Sequence, residues 1–211
     1  PRSAFSLLVR LGHLPPTAAL EVIQANLRRK HPEPVVAYAA GVELPQERGL
    51  VHDAHFSIDD DDTREVDDVL TVHQEGPRLR VDIDIADPSS FIAMGDPVDR
   101  EALKRAATLY LPTGAFYMLP ERLGCEVGSL SVGEARPAMR TSVWLDDQGR
   151  VTGYEHRRVT IRVGERLNYE QADQLLAQGE GATAQALRLL DEVARARAEV
   201  RRSRGALFIS R

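Results

Sequence analysis

An α+β fold is predicted, built on a mixed, mainly antiparallel sheet with flanking helices and preceded by a small helical N-terminal segment. Three observations carry this. Runs of alternating apolar and polar residues recur between residues 51 and 163, broken by turn residues. Helical periodicity appears near both ends of the chain and once in between. The strand runs come in adjacent pairs joined by short turns, which favours antiparallel pairing.

The elements follow in order. "PPTAALEVIQANLRRKHP" reads as a helix with Thr17 as N-cap, Leu20, Ile23 and Leu27 on one face, and Arg28, Arg29 and Lys30 in the last turn before Pro32. "VVAYAAGVEL" reads as a short strand. A boundary is placed at 45–50, dividing a helical segment, 1–48, from a larger domain, 49–211. "VLTVHQ" and "RLRVDIDIAD" flank "EGP" and form a hairpin. Val81, Ile83 and Ile85 alternate there with Arg80, Asp82 and Asp84, so Asp82 and Asp84 are expected to face solvent. "DPVDREALKRAATLYLP" reads as a helix capped by Asp96, with Leu103, Ala106 and Ala107 toward the core, Tyr110 at its end and Pro112 stopping it. "RPAMRTSVWL", "DDQG" and "VTGYEHRRVTIRV" form a second hairpin. "YEQADQLLAQG" and "TAQALRLLDEVARARAEVRRSRG" are helices, and "ALFIS" begins another strand.

Composition excludes several classes. Hydrophobic residues make up 43% and charged residues 28%, a globular balance. No apolar run approaches the roughly 18 residues a membrane span needs, and the N-terminal leucines are too interrupted for a secretory signal. The one cysteine, Cys125, excludes an internal disulfide and fits a reducing, cytoplasmic setting; it reads as a small buried residue. His52, His55 and His73 lack zinc-site spacing with it. Net charge is −5, but its distribution is uneven. Eight acids and one base lie between Asp53 and Asp68, against seven arginines and three acids between Ala186 and Arg211. An acidic pocket with a basic face suits a metal site acting on a polyanion.

The acidic run "SIDDDDTREVDD" gathers Asp59, Asp60, Asp61, Asp62, Glu65, Asp67 and Asp68 into ten positions. A bare acidic run is ordinarily a solvated loop. A calcium-hand loop starting at Asp59 fails, because Thr63, Arg64 and Leu70 stand where that template needs an acid, glycine and glutamate. The third reading uses the apolar flanks: Phe56 and Ile58 before, Val66, Val69, Leu70 and Val72 after. Two strand ends would then bring Asp59 toward Asp67 and Asp68, and a cation between them would offset their repulsion.

These residues resemble the ribonuclease II (RNB) family. "SIDDDDTREVDD" resembles its T-I-D and D-x-D-D signature. "DIADPSSFIAMGDPVDREALKRAATLYLP", "MLPERLGCEVGSLSVGEARPAM", "RLNYEQADQLL" and "RRSRGALFIS" resemble four later blocks in order, from about Phe56 onward. The resemblance implies a magnesium-dependent enzyme (manganese being an alternative) that degrades single-stranded RNA processively from the 3′ end to nucleoside monophosphates. It implies metal contacts from Asp59, Glu65, Asp67 and Asp68, with glutamate at position 65 where the family usually has aspartate. Asp67 takes the catalytic role, and Tyr110 stacks on a base near the 3′ end. Asp60, Asp61 and Asp62 fall at variable positions, and Asp87 caps a turn. The family's domain continues past the last block with an arginine-containing motif. The chain is therefore expected to be the N-terminal half of the catalytic domain, inactive alone, with the remainder of that domain or a second polypeptide piece as partner. A non-catalytic RNA- or partner-binding module, from a degenerate member, is the alternative, as is a calcium-stabilised binding module.

Overall fold

The computed structural model describes residues 2–44, 51–76, 78–112 and 114–207. They form two compact units, Pro1–Glu43 with Phe91–Gly124, and Leu44–Ser90 with Cys125–Arg211. The expected boundary at 45–50 and most of "ALFIS", from Phe208, lie outside the described residues.

The first unit holds helices α1 (Arg2–Arg10), α2 (Leu20–Gln24), α3 (Glu33–Ala40) and α4 (Pro97–Arg105), and a hairpin of β4 (Leu109–Leu111) with β5 (Gly114–Phe116). Three expectations are corrected here. The helix expected after Pro16 is only α2, entered at Ala19 rather than Thr17, and Asn26 at φ 51° turns the chain out of it. The expected strand at Val35 is α3. Its prolines favour the first helical turn, and Val35 and Ala39, one turn apart, are its buried residues. Asp96 does cap α4, accepting from the Asp99 N–H at 2.7 Å, but the helix ends at Arg105 because Ala106 adopts φ 64°. Tyr110 therefore lies on β4, opposite Ala115, and Leu103 is 81% exposed instead of facing the core. The Arg105 guanidinium ties this unit together by donating to the carbonyls of Arg28, Lys30 and Tyr117.

The second unit is a closed barrel of β1 (Val51–Ile58), β2 (Asp68–Glu75), β3 (Arg78–Ala86), β6 (Ala135–Leu145) and β7 (Val151–Leu167), followed by α5 (Tyr169–Gln178) and α6 (Ala182–Ser203). Both expected hairpins are present, β2 with β3 and β6 with β7. Closure comes from the long β7, which pairs in parallel with β1 from Val51↔Thr160 to Ile58↔Leu167. Gly149 at φ 71° makes the β6–β7 turn, and a side chain there would meet the Ala196 Cβ at 2.5 Å. This close approach helps seat α6 on the barrel. Ala186, Leu187, Leu190 and Val193 of α6 pack with Phe56, Val72, Val81 and Leu145, which puts this face of β3 under α6.

The other face of β3 points inward, so the expectation for Asp82 and Asp84 is corrected: both are fully buried. Arg140, directly across from Asp84, donates through Nε and Nη2 to its two oxygens at 2.8 Å each. Arg140 Nη1 also lies 3.3 Å from Asp82, which accepts from the Ser142 hydroxyl at 2.7 Å and contacts His73 at 3.2 Å. Burial alone would raise the Asp82 pKa; the Ser142 bond and the charges of Arg140, Arg80 and His73 outweigh it and hold it below the usual range. Beside this polar layer, Ala54, Val66, Val69, Leu130, Ala138, Ile161 and Val163 form an apolar one.

Candidate active site

The acidic run connects the end of β1 to the start of β2, as the strand flanks implied. It is pinned, not loose. The Asp59 N–H donates to the Leu167 carbonyl at 3.0 Å. Arg166 Nη2 donates to the carbonyls of Asp60 at 3.0 Å and Thr63 at 2.7 Å. Asn168 Nδ2 donates to Asp61 Oδ1 at 2.9 Å. At the far end, the Val66 N–H donates to Ser129 Oγ, the Val66 carbonyl accepts from Leu130, and the Asp67 carbonyl accepts from Ala86. Asp68 then enters β2 opposite Ile85.

This path brings Glu65, Asp68 and Asp59 within electrostatic range of Asp67, and Asp59 within range of Asp68. Crowding by protein atoms pushes Asp67 up from 3.8 to about 6, and the charges of Glu65, Asp68 and Asp59 add to it. Asp68 is raised too, by desolvation and then by Asp59. Asp67 and Asp68 nevertheless keep surface exposed to solvent, so a small ligand can reach them. Asp59 Oδ2 is buried with no hydrogen-bond partner. An orphaned carboxylate oxygen beside an acid with a raised pKa is a donor set short of a positive charge. Among the described residues, no group of three or more His, Cys, Asp or Glu side chains already stands in metal-holding geometry. The unpartnered Asp59 oxygen and the raised Asp67 are oxygen donors of the kind a hard divalent ion takes.

Tyr110 belongs to the other unit, 65% exposed on β4. That is the wrong environment for a core aromatic. Asp87 accepts from Ser89 Oγ at 2.5 Å and Ser90 Oγ at 2.8 Å, holding the turn Pro88–Ser90. Cys125 is half-buried in the turn Arg122–Val127, not fully enclosed. Arg166 and Asn168 escaped the sequence reading. Asn168 had a signal, N-x-x-Q before an apolar run, which marks a capping box, and both of its bonds form. Arg166 had none.

The family model of the RNB domain matches residues 48–211. The chain belongs to the RNB family. It is 35% identical over 214 residues to the chloroplastic/mitochondrial ribonuclease II of Arabidopsis thaliana, covering 97% of this chain and 26% of that protein. The chain thus spans about a quarter of that relative's length. Mycoplasma genitalium RNase R in complex with ribose-methylated single-stranded RNA superposes with a TM-score of 0.83 at 20% identity, over 90% of this chain and 32% of that one. Yeast Ssd1, a pseudonuclease, superposes at 0.62 with 25% identity, over 72% and 19%. The RNB fold therefore occurs with and without nuclease activity, and residues at the site must decide between the two.

Among the described residues no helix is long and apolar enough to cross a membrane.

Proposed function

We propose that this chain is the N-terminal half of the catalytic domain of a magnesium-dependent, processive 3′-to-5′ exoribonuclease that releases nucleoside 5′-monophosphates from single-stranded RNA in the cytoplasm. Residues 49–211 carry the catalytic half, and 1–48 form a helical N-terminal segment or the end of an accessory RNA-binding module. The supporting observation is the set Asp59, Glu65, Asp67 and Asp68, all family-signature positions, gathered so that burial, with the charges of the other three adding to it, raises Asp67 to about 6. Loss of Asp67 would favour a degenerate, non-catalytic member, and Asp67 is present.

Asp59 and Asp68, with Glu65 and Asp67 alongside, are the residues that would hold Mg²⁺ or Mn²⁺. When bound, the ion supplies charge neutralisation and Lewis acidity for phosphodiester hydrolysis. Asp67 is open to solvent with a pKa displaced toward neutrality, so its carboxylate can orient a water and accept its proton. Tyr110 presents an exposed ring on which a base stacks without sequence preference. The remaining chemistry comes from the rest of the catalytic domain, in the same or a second polypeptide.

The test is cleavage of a 5′-labelled unstructured RNA by a polypeptide that joins this segment to the family's downstream motifs. Asp67→Asn is expected to abolish cleavage while RNA binding persists. Turnover within about tenfold of wild type, a barrier change of roughly 1.4 kcal/mol, would remove Asp67 from the catalytic role.

A further inference from the structure

We infer that Arg166, Leu167 and Asn168 form a positioning clamp that sets the affinity of the acidic loop for its divalent cation; this rests on the metal reading above. Three consecutive residues grip four of the first five residues of the loop. Leu167 holds the Asp59 backbone, Arg166 the carbonyls of Asp60 and Thr63, and Asn168 the Asp61 carboxylate. The far end is fixed independently by Ser129, Leu130 and Ala86. Repulsion among the carboxylates acts to open the loop, and the clamp opposes that from the β7 side.

Helix capping alone does not explain Asn168. Its Oδ1 accepts from the Gln171 N–H at 2.7 Å, which caps α5. An aspartate caps a helix as well as an asparagine. Only the amide also carries donors, and here Nδ2 reaches Asp61. One side chain thus couples the start of α5 to the acidic loop. It also gives Asp61 a task other than binding metal, which accounts for part of the aspartate run.

Substitution can separate the two roles. Asn168→Asp keeps the cap acceptor but loses the donor and sets two carboxylates against each other. The double variant Asp61→Asn with Asn168→Asp exchanges donor and acceptor and restores the bond. The experiment is a calorimetric MnCl₂ titration of the 211-residue chain, with circular dichroism to follow α5 and α6. Asn168→Asp is expected to weaken Mn²⁺ binding about tenfold at unchanged helicity, the low end for partners that orient metal ligands. The double variant is expected to return to within about threefold of wild type, well under the 1.4 kcal/mol that a tenfold change represents. Arg166→Met is expected to weaken binding as Asn168→Asp does. An added acid that acted only through its charge would tighten binding. Unchanged or tighter binding in Asn168→Asp, or no recovery in the double variant, overturns the clamp and leaves the metal reading standing. A wild-type chain that binds no Mn²⁺ overturns both.

Discussion

Removing one charge from the acidic cluster should stabilise the metal-free protein, and Asp67→Asn is the change that shows it. Asp67 is raised from 3.8 to about 6, so folding favours its protonated form. A group raised in this way contributes stability below pH 3.8, and that contribution disappears as pH climbs through about 6. Above pH 6 the folded state therefore carries an unfavourable charge. In dry surroundings the shift would be worth roughly 3 kcal/mol at 1.36 kcal/mol per pKa unit. Solvent reaches Asp67, and screening reduces the figure to about 1 kcal/mol. For a chain of this size that amounts to about 2–4 °C in Tm. The assay is thermal unfolding in EDTA at pH 7.5 and 4.5. Asp67→Asn should melt above wild type at pH 7.5, and the gap should shrink at pH 4.5, where wild-type Asp67 is mostly protonated. Adding MgCl₂ at pH 7.5 should raise wild type more than the variant, because the ion binds the folded state and relieves the same repulsion. A variant that melts at or below wild type in EDTA at pH 7.5 would refute the crowding.

Other perturbations test other parts of the molecule. Arg140→Ala strips the buried Asp84 of its cation, leaving Asp82 only Arg80 and His73, and should cost about 3–5 kcal/mol in urea unfolding; a loss below ~1 kcal/mol would mean water already solvates the barrel interior. In a polypeptide carrying the whole catalytic domain, Tyr110→Ala should lengthen the final undegraded oligonucleotide while Tyr110→Phe leaves it unchanged, because stacking worth ~1–3 kcal/mol needs the ring and not the hydroxyl. Identical end products from wild type and Tyr110→Ala on a sequencing gel would remove Tyr110 from the RNA path.

Local signals were readable in the sequence, and long-range ones were not. "EGP" and "DDQG" marked both hairpins, and the apolar spacing of α5 and α6 was clear. The acidic loop was found because like charges that close demand an explanation. Barrel closure was hidden, since it depends on a parallel pairing between β1 and the distant β7. The alternation in β3 correctly separated two faces but could not say which was inside. The partner that makes a buried Asp84 tolerable, Arg140, lies 56 residues further on. The sequence pattern puts Tyr110 on a helix because the left-handed turn at Ala106 has no residue signature; glycine or asparagine would announce it. The valines of "VVAYAA" suggest a strand, but Pro32 and Pro34 just ahead of it point to a helix start.

The claim that Asp59, Glu65, Asp67 and Asp68 form a divalent-cation site is tested most directly by Mg²⁺ and Mn²⁺ titration of wild type against Asp68→Asn. Asp68 sits at the start of β2, its pKa raised by desolvation and by Asp59, so a neutral asparagine is tolerated there and the proposed ligand can be removed with the fold in place. Wild type is expected to bind a cation saturably, and Asp68→Asn to bind it at least about tenfold more weakly, at least 1.4 kcal/mol of lost coordination. Equal affinities for the two proteins would contradict the site.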